Sequence, residues 1–304
     1  MTNVTLKQLR YFDALTRHRH FGRAAEVCSV SQPALSVQIK ELEQEVGAKL
    51  FERGARQVRL TGLGEQFASR VTDILKSVDE LGDLARASGD QLTGRLRLGI
   101  IPTIAPYLLP GVIERISALY QGLDLHVRET LTPRLIEELS DGLIDAAIVA
   151  LPVSERAFVE TPIFTEEFVL VRSHAEANEP VPSTEKLREM RLLLLEEGHC
   201  FRDQAMSFCN MPTVLSRDGL DASSLSTLVQ MVGSGIGVTL LPDMAVDVET
   251  RSAPVSVSRF EHNTPSRTVG MIWRKTSPLA KQLADICDAV KQAGEARKAQ
   301  SNTT

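Results

Sequence analysis

Apolar residues recur at helical spacing through the first part of the chain, and they predict three helices. The first helix is indicated by apolar residues three positions apart: Leu6, Leu9, Phe12 and Leu15. A short second helix is predicted over residues 21–28, followed by a tight turn. Ser31 is a good N-cap for a third helix, in which Pro33 occupies the first turn, where a missing backbone N–H costs little. The buried face predicted for this helix consists of Leu35, Ile39, Leu42 and Val46.

The opposite face of the third helix carries small or polar side chains together with a lysine. These residues are Pro33, Ser36, Val37 and Lys40. Such a face suits a helix that lies in the major groove of DNA. Residues 50–53 and 56–61 then predict a two-stranded wing, whose arginines, Arg53 and Arg56 among them, could meet phosphates. The pattern leaves one alternative open, a three-helix packing unit with no role on DNA.

Apolar positions alternate at spacings of four and three along a predicted long helix. This is the seam of a coiled coil, and it continues over nearly three heptads: Phe67, Val71, Ile74, Val78, Leu81 and Ala85. A dimer formed on this seam would place two reading helices on half-sites about 34–36 Å apart. The alternative is a single amphipathic helix that packs on its own domain. The polar segment 88–94 predicts a hinge after it.

From Arg95 onward, short apolar runs alternate with helical patterns. Strands are predicted at 95–101, 124–129, 146–150, 167–171 and 267–273, and a helix is predicted at the C-terminus. Such alternation predicts a mostly parallel sheet in an α/β domain. The glycine-rich run 233–237 lacks the dinucleotide-binding spacing, and it predicts a tight helix-to-strand connection. No cofactor is expected.

Composition and charge narrow the class of protein. The sequence shows neither a secretory signal nor an apolar run of about 20 residues, so we expect a cytoplasmic chain without a membrane partner. The net charge of −5 is uneven, since residues 1–60 hold ten Lys and Arg against six Asp and Glu. A basic head on an acidic body favours a nucleic-acid-binding module joined to a sensing domain. Clustering of charge on a solvated surface is the alternative.

Two of the four cysteines, Cys200 and Cys209, lie nine positions apart in a charged segment. Where thiols are kept reduced, a disulfide between them would be a reversible event. His199 and Arg202 offer positive charge of the kind that stabilises a thiolate and makes it reactive toward oxidants. Cys209 is near enough in sequence to resolve a sulfenic acid into a disulfide. The pair therefore predicts a redox switch.

The remaining cysteines and the spacing of the redox pair add two expectations. Cys28 and Cys287 lie among apolar residues and are predicted to be small buried hydrophobes, and no spacing predicts a metal site.

Residues 203–208 have helical character. Nine residues of helix span about 13 Å, whereas a disulfide needs Cα atoms within about 7 Å. Disulfide formation would therefore require this helix to unwind.

The N-terminal pattern resembles the winged helix-turn-helix of LysR-type transcriptional regulators. The matching residues are Ala24-Ala25, Ser31-Gln32-Pro33-Ala34-Leu35-Ser36, Ile39, Leu42-Glu43, Gly47, Leu50-Phe51-Glu52-Arg53, and Leu60-Thr61 with Gly64. The resemblance implies that the residues on or beside the reading helix are Gln32, Pro33, Ala34, Ser36, Gln38 and Lys40, with Arg53 in the wing.

The same resemblance implies a domain organisation. A winged helix-turn-helix DNA-binding domain would occupy residues 1–65, and a dimerisation linker helix with its hinge would occupy 66–93. The regulatory domain, 94–304, would have two Rossmann-like lobes like those of periplasmic binding proteins. Lobe one would comprise 94–164 plus 267–298, and lobe two 165–266. Ligands of such folds bind where strand ends meet the cleft between lobes.

Within that family, the segment from Glu197 to Cys209 resembles the hydrogen-peroxide-sensing members. The matching residues are Gly198-His199-Cys200, Arg202-Asp203-Gln204-Ala205 and Cys209. The resemblance implies that Cys200 is the peroxidatic cysteine and Cys209 the resolving one. It implies that Thr103 and Thr132 hold peroxide beside Cys200, with Thr130 as a competitor for Thr132. The implied supporting residues are His199, Asp203 and Arg267, to which the charge argument adds Arg202.

The implied function is that of a DNA-binding regulator rather than an enzyme. Oxidation would change oligomer packing and promoter contacts, and so control antioxidant genes. The implied partners are promoter DNA, hydrogen peroxide, further copies of the chain in a homodimer or homotetramer, RNA polymerase, and a thiol reductant such as glutaredoxin. Two alternatives stay open. One is a regulator with a small-molecule inducer in the cleft and incidental cysteines, and the other is a thiol peroxidase.

Overall fold

The computed structural model describes residues 3–53, 58–87, 89, 92–209 and 221–301. The chain forms two compact units that divide between Ala85 and Arg86. The helices and hairpin strands that begin in the first unit are α1 (Leu6–His18), α2 (Phe21–Val27), α3 (Gln32–Val46), β1 (Phe51–Arg53), β2 (Val58–Leu60) and α4 (Gly62–Ala87).

The core of the first unit lies between its helices and the hairpin. Phe12 is fully buried and contacts both Phe51 and Phe67, at ring-centroid distances of 5.0 and 5.1 Å. Leu9 and Leu15 are buried as predicted, but Leu6 is 46% exposed. The prediction for Leu6 was wrong because this residue is the first of α1, where Thr5 and Gln8 form a capping box.

The second unit alternates strands and helices. Its elements are β3 (Gly94–Ile100), α5 (Ala105–Leu119), β4 (Leu123–Glu129), α6 (Thr132–Ser140), β5 (Ala146–Leu151), β6 (Phe158–Ser173), α7 (Thr184–Glu189), α8 (Cys200–Phe208), α9 (Leu225–Gly233), β7 (Thr239–Pro242), α10 (Val246–Glu249), β8 (Val255–Ser258), β9 (Ser266–Arg274) and α11 (Ala280–Ser301). The glycine-rich run joins α9 to β7 as predicted. Across the described ranges, no helix has the length and apolar character to cross a membrane.

The sheet of the second unit is mixed, and the prediction of a mostly parallel sheet is wrong. Its seven strands run in the order β4-β3-β5-β9-β6-β7, with β8 paired to β6. Strand β3 is parallel to β4 and β5, whereas the pairs that involve β6 and β9 are antiparallel. The physical reason is that β9 returns from far along the chain and inserts between β5 and β6. Local hydrophobic patterns carry no information about the direction of such a strand.

Strand β6 is 16 residues long and serves two parts of the sheet. Its first part, Phe158–Glu167, pairs with β9, and its second part, Phe168–Ser173, pairs with β7 and β8. We call the strands β3, β4, β5 and β9 with the first part of β6 the first sheet region. The second part of β6 with β7 and β8 is the second sheet region. One continuous cluster of buried apolar residues runs through both regions.

Candidate functional site

Helix α8 carries the two cysteines of the predicted redox pair at its opposite ends. Cys200 is the first residue of the helix, and Cys209 is its C-cap. All four cysteines of the chain are free thiols. At about 1.5 Å rise per residue, the helix separates the two Cα atoms by roughly 13 Å. The two thiols therefore occupy different environments in the reduced chain.

Gly198 sets the direction in which the chain enters α8. Its φ is +95°, a left-handed conformation that favours glycine. A Cβ atom at this position would lie 2.9 Å from Cδ1 of Leu131. The turn at Gly198 is followed by His199 at the N-cap and Cys200 at the first helical position. The turn thus favours a glycine, and a larger residue would also require the Leu131 side chain to shift.

The Cys200 end of the helix is partly open. Cys200 is half-buried and packs against the main core, and the next residue, Phe201, contacts Phe168 at a ring-centroid distance of 4.9 Å. Free backbone N–H groups and the helix dipole make this end favourable for negative charge. Burial lowers the pKa of the adjacent His199 imidazole, and Glu196 opposes that shift. The lowered pKa favours the neutral imidazole at pH 7, so the prediction that His199 offers positive charge to the Cys200 thiolate was wrong.

A buried arginine on β9 organises the surroundings of this end. Arg267 donates from Nη1 to Thr103 Oγ1 at 2.7 Å and from Nη2 to the Thr103 carbonyl at 2.9 Å. Its Nε donates to Glu166 Oε1 at 2.6 Å, which pairs the buried charge. The guanidinium carbon lies 5.9 Å from the centroid of the Phe201 ring. Because Thr103 Oγ1 accepts from Arg267, its hydroxyl proton is left to donate elsewhere.

The Cys209 end of the helix is closed. Cys209 has 0% exposure, and burial raises the pKa of its thiol to about 11, against a smaller opposite effect of Arg188. Arg188 Nε on α7 donates to the Cys209 carbonyl at 2.6 Å. The preceding residue, Phe208, contacts Phe260 edge to face at a centroid distance of 5.3 Å. This thiol is protonated and shielded at neutral pH.

A cavity of about 360 Å³ lies beside the Cys200 end. Its lining includes Thr103, Thr130, Leu131 and His199, together with Tyr107 and Glu249. Tyr107 on α5 donates to one oxygen of the Glu249 carboxylate, and Ser226 on α9 donates to the other, both at 2.6 Å. These two hydrogen bonds tie α5 to α9 and α10 along one wall of the cavity.

Two predicted supporting residues, Arg202 and Asp203, and the predicted peroxide-holding Thr132 are placed differently from the Thr103–Arg267 pair. Arg202 is buried, and its Nη1 contacts the Leu195 carbonyl at 2.6 Å and Asp221 at 3.0 Å, so its charge is balanced by a carboxylate. Asp203 is exposed. The hydroxyl oxygen of Thr132 is buried without a hydrogen-bond partner among the described residues, while the competing Thr130 lines the cavity.

Helix α3 presents an outer face of small, polar and apolar side chains together with Lys40, as its pattern predicts. Ser31 Oγ accepts from the Ala34 N–H at 3.4 Å, and Leu35, Ile39 and Leu42 are buried. Gln32, Pro33, Ala34, Val37 and Lys40 are exposed, and Ser36 and Gln38 are half-buried. Arg53 ends strand β1, and Arg56 lies outside the described residues.

Helix α4 leaves half of its predicted seam exposed within one chain: Ile74, Leu81 and Ala85. Val71 is buried against the first unit, but Ile74 is 45% exposed and Leu81 is 65% exposed. Apolar side chains in such a row are normally covered.

Two other sequence expectations concern the remaining thiols and metals. Cys287 is buried as predicted, whereas Cys28 is only partly buried, because it is the C-cap of the short helix α2. Within the described ranges, no group of three or more His, Cys, Asp or Glu side chains could hold a metal ion.

Sequence reasoning missed Glu166, Arg188 and the Tyr107–Glu249 pair. Glu166 had a detectable signal, since a carboxylate next to an apolar strand segment needs a buried cation such as Arg267. The contacts of Arg188 and Tyr107 join residues that are 21 and 142 positions apart, respectively, and nothing in the local pattern indicates them.

Comparison with known families assigns the chain to a class. The model of the bacterial regulatory helix-turn-helix protein, lysR family, matches residues 6–65, and the LysR substrate binding domain matches residues 89–295. The chain therefore belongs to the LysR family, a family of transcription regulators rather than of enzymes.

Within that family, the similarity is to OxyR proteins. The chain is 38% identical to the DNA-binding transcriptional dual regulator OxyR of Escherichia coli K12, over 95% of each chain. A full-length OxyR variant from Pseudomonas aeruginosa, with an aspartate in place of a cysteine, has 37% identity and a TM-score of 0.74 over 96% of each chain. A cysteine-to-serine mutant of Corynebacterium glutamicum OxyR with hydrogen peroxide bound has 33% identity and a TM-score of 0.68, over 98% of this chain and 95% of that one.

Proposed function

We propose that this chain is a hydrogen-peroxide-sensing transcription regulator in which Cys200 is the sensor and Cys209 the resolving thiol. The observation that carries the proposal is the position of Cys200 at the positive end of α8, with Cys209 capping the other end of the same helix. The bound hydrogen peroxide in the similar Corynebacterium OxyR supports the choice of oxidant.

The first step is the oxidation of Cys200. The thiolate sulfur attacks one oxygen of hydrogen peroxide, and the O–O bond breaks. The sulfur becomes a sulfenic acid, and the second oxygen leaves as hydroxide, which takes a proton to form water. Thr103 would donate its free hydroxyl proton toward the peroxide, and Arg267 polarises that hydroxyl through its 2.7 Å hydrogen bond. Neutral His199 offers a further hydrogen-bonding group, and Thr132 or Thr130 would supply the second hydroxyl.

The second step forms the disulfide. The Cys209 sulfur, as a thiolate, attacks the sulfenic sulfur of Cys200, and hydroxide leaves. The thiol is buried with a raised pKa of about 11, so it must first be exposed. The Cα atoms must also approach from roughly 13 Å to within about 7 Å. Because the intact helix prevents this approach, disulfide formation requires α8 to unwind and its surroundings to repack.

The output would be a change in DNA contacts. In this proposal the exposed side of α3 enters the major groove with Gln32, Pro33, Ala34, Ser36, Gln38 and Lys40, and Arg53 and Arg56 of the wing contact phosphates. The uncovered residues Ile74 and Leu81 on α4 support a homodimer through that helix. Refolding of α8 would alter the packing between copies, and so the spacing of the reading helices.

The remaining partners follow from this function. Because the chain would bind promoter DNA, we expect it to act in the cytoplasm, where bacterial DNA lies. A homotetramer would position four reading helices on one promoter, and contact with RNA polymerase would convert binding into activation of antioxidant genes. A thiol reductant such as glutaredoxin would reset the disulfide.

A second candidate function is favoured by the cavity beside Cys200. Its volume of about 360 Å³ is within the range of small-molecule sites and far exceeds what one peroxide needs. In that case an inducer would bind between the two sheet regions, and the cysteines would be incidental. Titration of the reduced chain with dilute peroxide distinguishes the two, because sensing predicts the loss of two thiols per chain.

The central experiment is DNA footprinting on the upstream region of the chain's own gene, with and without peroxide. Cys200→Ser is expected to keep basal DNA binding and to lose the peroxide-dependent change in the footprint. If the variant still responds to peroxide, Cys200 is not the sensor. Wild-type protein reduced again after oxidation serves as the control, and it should return to the original footprint.

A further inference from the structure

The backbone of the resolving cysteine is held by an arginine from another helix. Arg188 lies near the end of α7, and its Nε donates to the Cys209 carbonyl at 2.6 Å. We propose that Arg188 is a positioning residue that anchors Cys209 at the end of α8 and so slows the second step of the switch. This inference rests on the proposed function, since it assigns a residue to the step that joins Cys209 to Cys200.

The anchor acts where a helix is weakest. The last carbonyl groups of an α-helix have no partner within the helix, and the C-terminal end carries partial negative charge. A guanidinium at this end satisfies a carbonyl and places a positive charge against the dipole. Hydrogen bonds from a charged donor are also the stronger kind. Arg188 therefore stabilises the last turn of α8 in two ways.

The contact exists only while Cys209 stays at the end of the helix. To reach Cys200, the Cys209 peptide must cover several ångströms and leave Arg188, and Phe208 must leave Phe260. The hydrogen bond is therefore made in the reduced chain and lost before the disulfide closes. An interaction of this kind raises the barrier to resolution and favours the reduced form at equilibrium.

Arg188 also has a second effect, which acts against the anchor by favouring attack of Cys209 on Cys200. The test must distinguish the two effects. The positive charge of Arg188 lowers the pKa of the Cys209 thiol, although burial outweighs this and raises the pKa overall. Loss of the charge alone would slow attack by Cys209. Arg188→Gln removes the charge but keeps an amide donor, and Arg188→Lys keeps the charge with a different donor geometry. Arg188→Ala removes both.

The experiment follows the two steps separately on the full-length chain. Reduced protein is mixed with hydrogen peroxide, sulfenic acid is trapped with dimedone at timed intervals, and the disulfide is quantified by mass spectrometry. We expect Arg188→Ala to form the disulfide about 10-fold faster than wild type, a size typical of one charge-assisted hydrogen bond. The rate of Cys200 oxidation should not change. Arg251→Ala, which removes an exposed arginine from the same unit, is the matched control and should leave both rates at the wild-type value.

Equilibrium with glutathione gives a second readout. A 10-fold shift toward the disulfide in Arg188→Ala corresponds to a reduction potential about 30 mV more negative than that of wild type. Arg188→Lys should lie between wild type and Arg188→Ala in both readouts. It also serves as the test variant if the alanine variant fails to fold, in which case resolution faster than wild type supports the anchor.

The outcomes separate this inference from the proposed function. An unchanged or slower second step in every folded Arg188 variant, with wild-type protein forming the Cys200–Cys209 disulfide, would overturn the anchor alone. If wild-type protein forms no such disulfide, the proposed redox function fails first. Faster resolution in Arg188→Gln than in wild type would support the anchor more strongly, because loss of the charge acts in the other direction.

Discussion

The two ends of helix α8 hold the same chemical group in opposite surroundings. Cys200 is half-buried at the positive end of the helix and follows His199, which lines the same cavity as the arginine-bound Thr103. Cys209 is fully buried at the negative end, and burial raises the pKa of its thiol to about 11. The Cys200 thiol is accessible to a small oxidant, whereas the Cys209 thiol is shielded from it.

This difference implies an order of events. If both thiols were equally exposed, either could be oxidised, and overoxidation would compete with disulfide formation. With Cys209 buried and anchored, oxidation begins at Cys200, and the local structure must open before the second thiol can act. The helix is thus both the barrier to the disulfide and the element that changes when the disulfide forms.

The largest effect that tests this comparison is expected from Cys209→Ser. The variant should be oxidised at Cys200 at the wild-type rate but should not form the intramolecular disulfide, because the resolving sulfur is missing. Dimedone trapping should therefore find a persistent sulfenic acid. Intact mass spectrometry after peroxide measures both products. An intramolecular disulfide in this variant would show that another thiol, Cys28 or Cys287, resolves Cys200.

The next effect is expected at the Cys200 end alone. Thr103→Val keeps the shape of the side chain and removes the hydroxyl that Arg267 polarises. Loss of one such donor typically costs about 100-fold in rate, so we expect oxidation of Cys200 to slow by that order and resolution to stay unchanged. Stopped-flow measurement of thiol loss checks this.

Two further threonine variants identify the second hydroxyl that would hold the peroxide. Thr130→Val and Thr132→Val remove hydroxyls that are close in sequence, one on the cavity wall and one buried without a described partner. The variant that also slows Cys200 oxidation identifies the second hydroxyl. A Thr103→Val protein that reacts at the wild-type rate would contradict the role of Thr103.

The smallest effect concerns stability at alkaline pH. Burial raises the pKa of Cys209 from 9.0 to about 11, so above about pH 9 the unfolded chain loses a proton that the folded chain keeps. The free energy of unfolding should therefore fall as the pH rises between these values, by up to about 1.4 kcal/mol per pH unit for this thiol. Cys287 is also raised to about 11 and should contribute similarly.

Urea unfolding of the reduced chain at pH 8 to 11 measures this slope. Cys209→Ser and Cys287→Ser should each reduce it, and the double variant should reduce it further. If the free energy of unfolding falls with pH at the same slope in wild type and Cys209→Ser, Cys209 is not shielded. The proposed contrast between the two ends of α8 would then fail at the Cys209 end.

Much of the fold was accessible from the sequence because local rules determine it. The Ser31 cap, the buried face of α3 and the long helix α4 follow from capping and periodicity alone. The insertion of β9 between β5 and β6 depends on contacts between distant segments, and the mixed sheet could not be predicted. Leu6 shows the same limit at smaller scale, since its spacing fits the buried face but it is the first residue of α1 and is 46% exposed.

The residues of the candidate site likewise fall into two groups, those that local sequence predicts and those that only long-range contacts bring together. The cysteines and Gly198-His199 are contiguous, and their spacing indicated a redox helix. The hydrogen bonds of Arg267 to Thr103 and Glu166 join residues that are 164 and 101 positions apart, and only the fold brings them together. The salt bridge of Arg202 with Asp221 likewise could not be predicted, because nothing in the charge pattern selects that partner.

Strand β6 has a practical consequence for protein engineering. Because its 16 residues complete both sheet regions, cutting the chain anywhere between Phe158 and Ser173 would leave two fragments with unpaired strand edges. A minimal biosensor made from this protein must therefore keep β6 intact, together with the strands β7, β8 and β9 that pair with it. A fluorescent protein inserted to report the switch belongs in a surface loop, not in the strand that the two regions share.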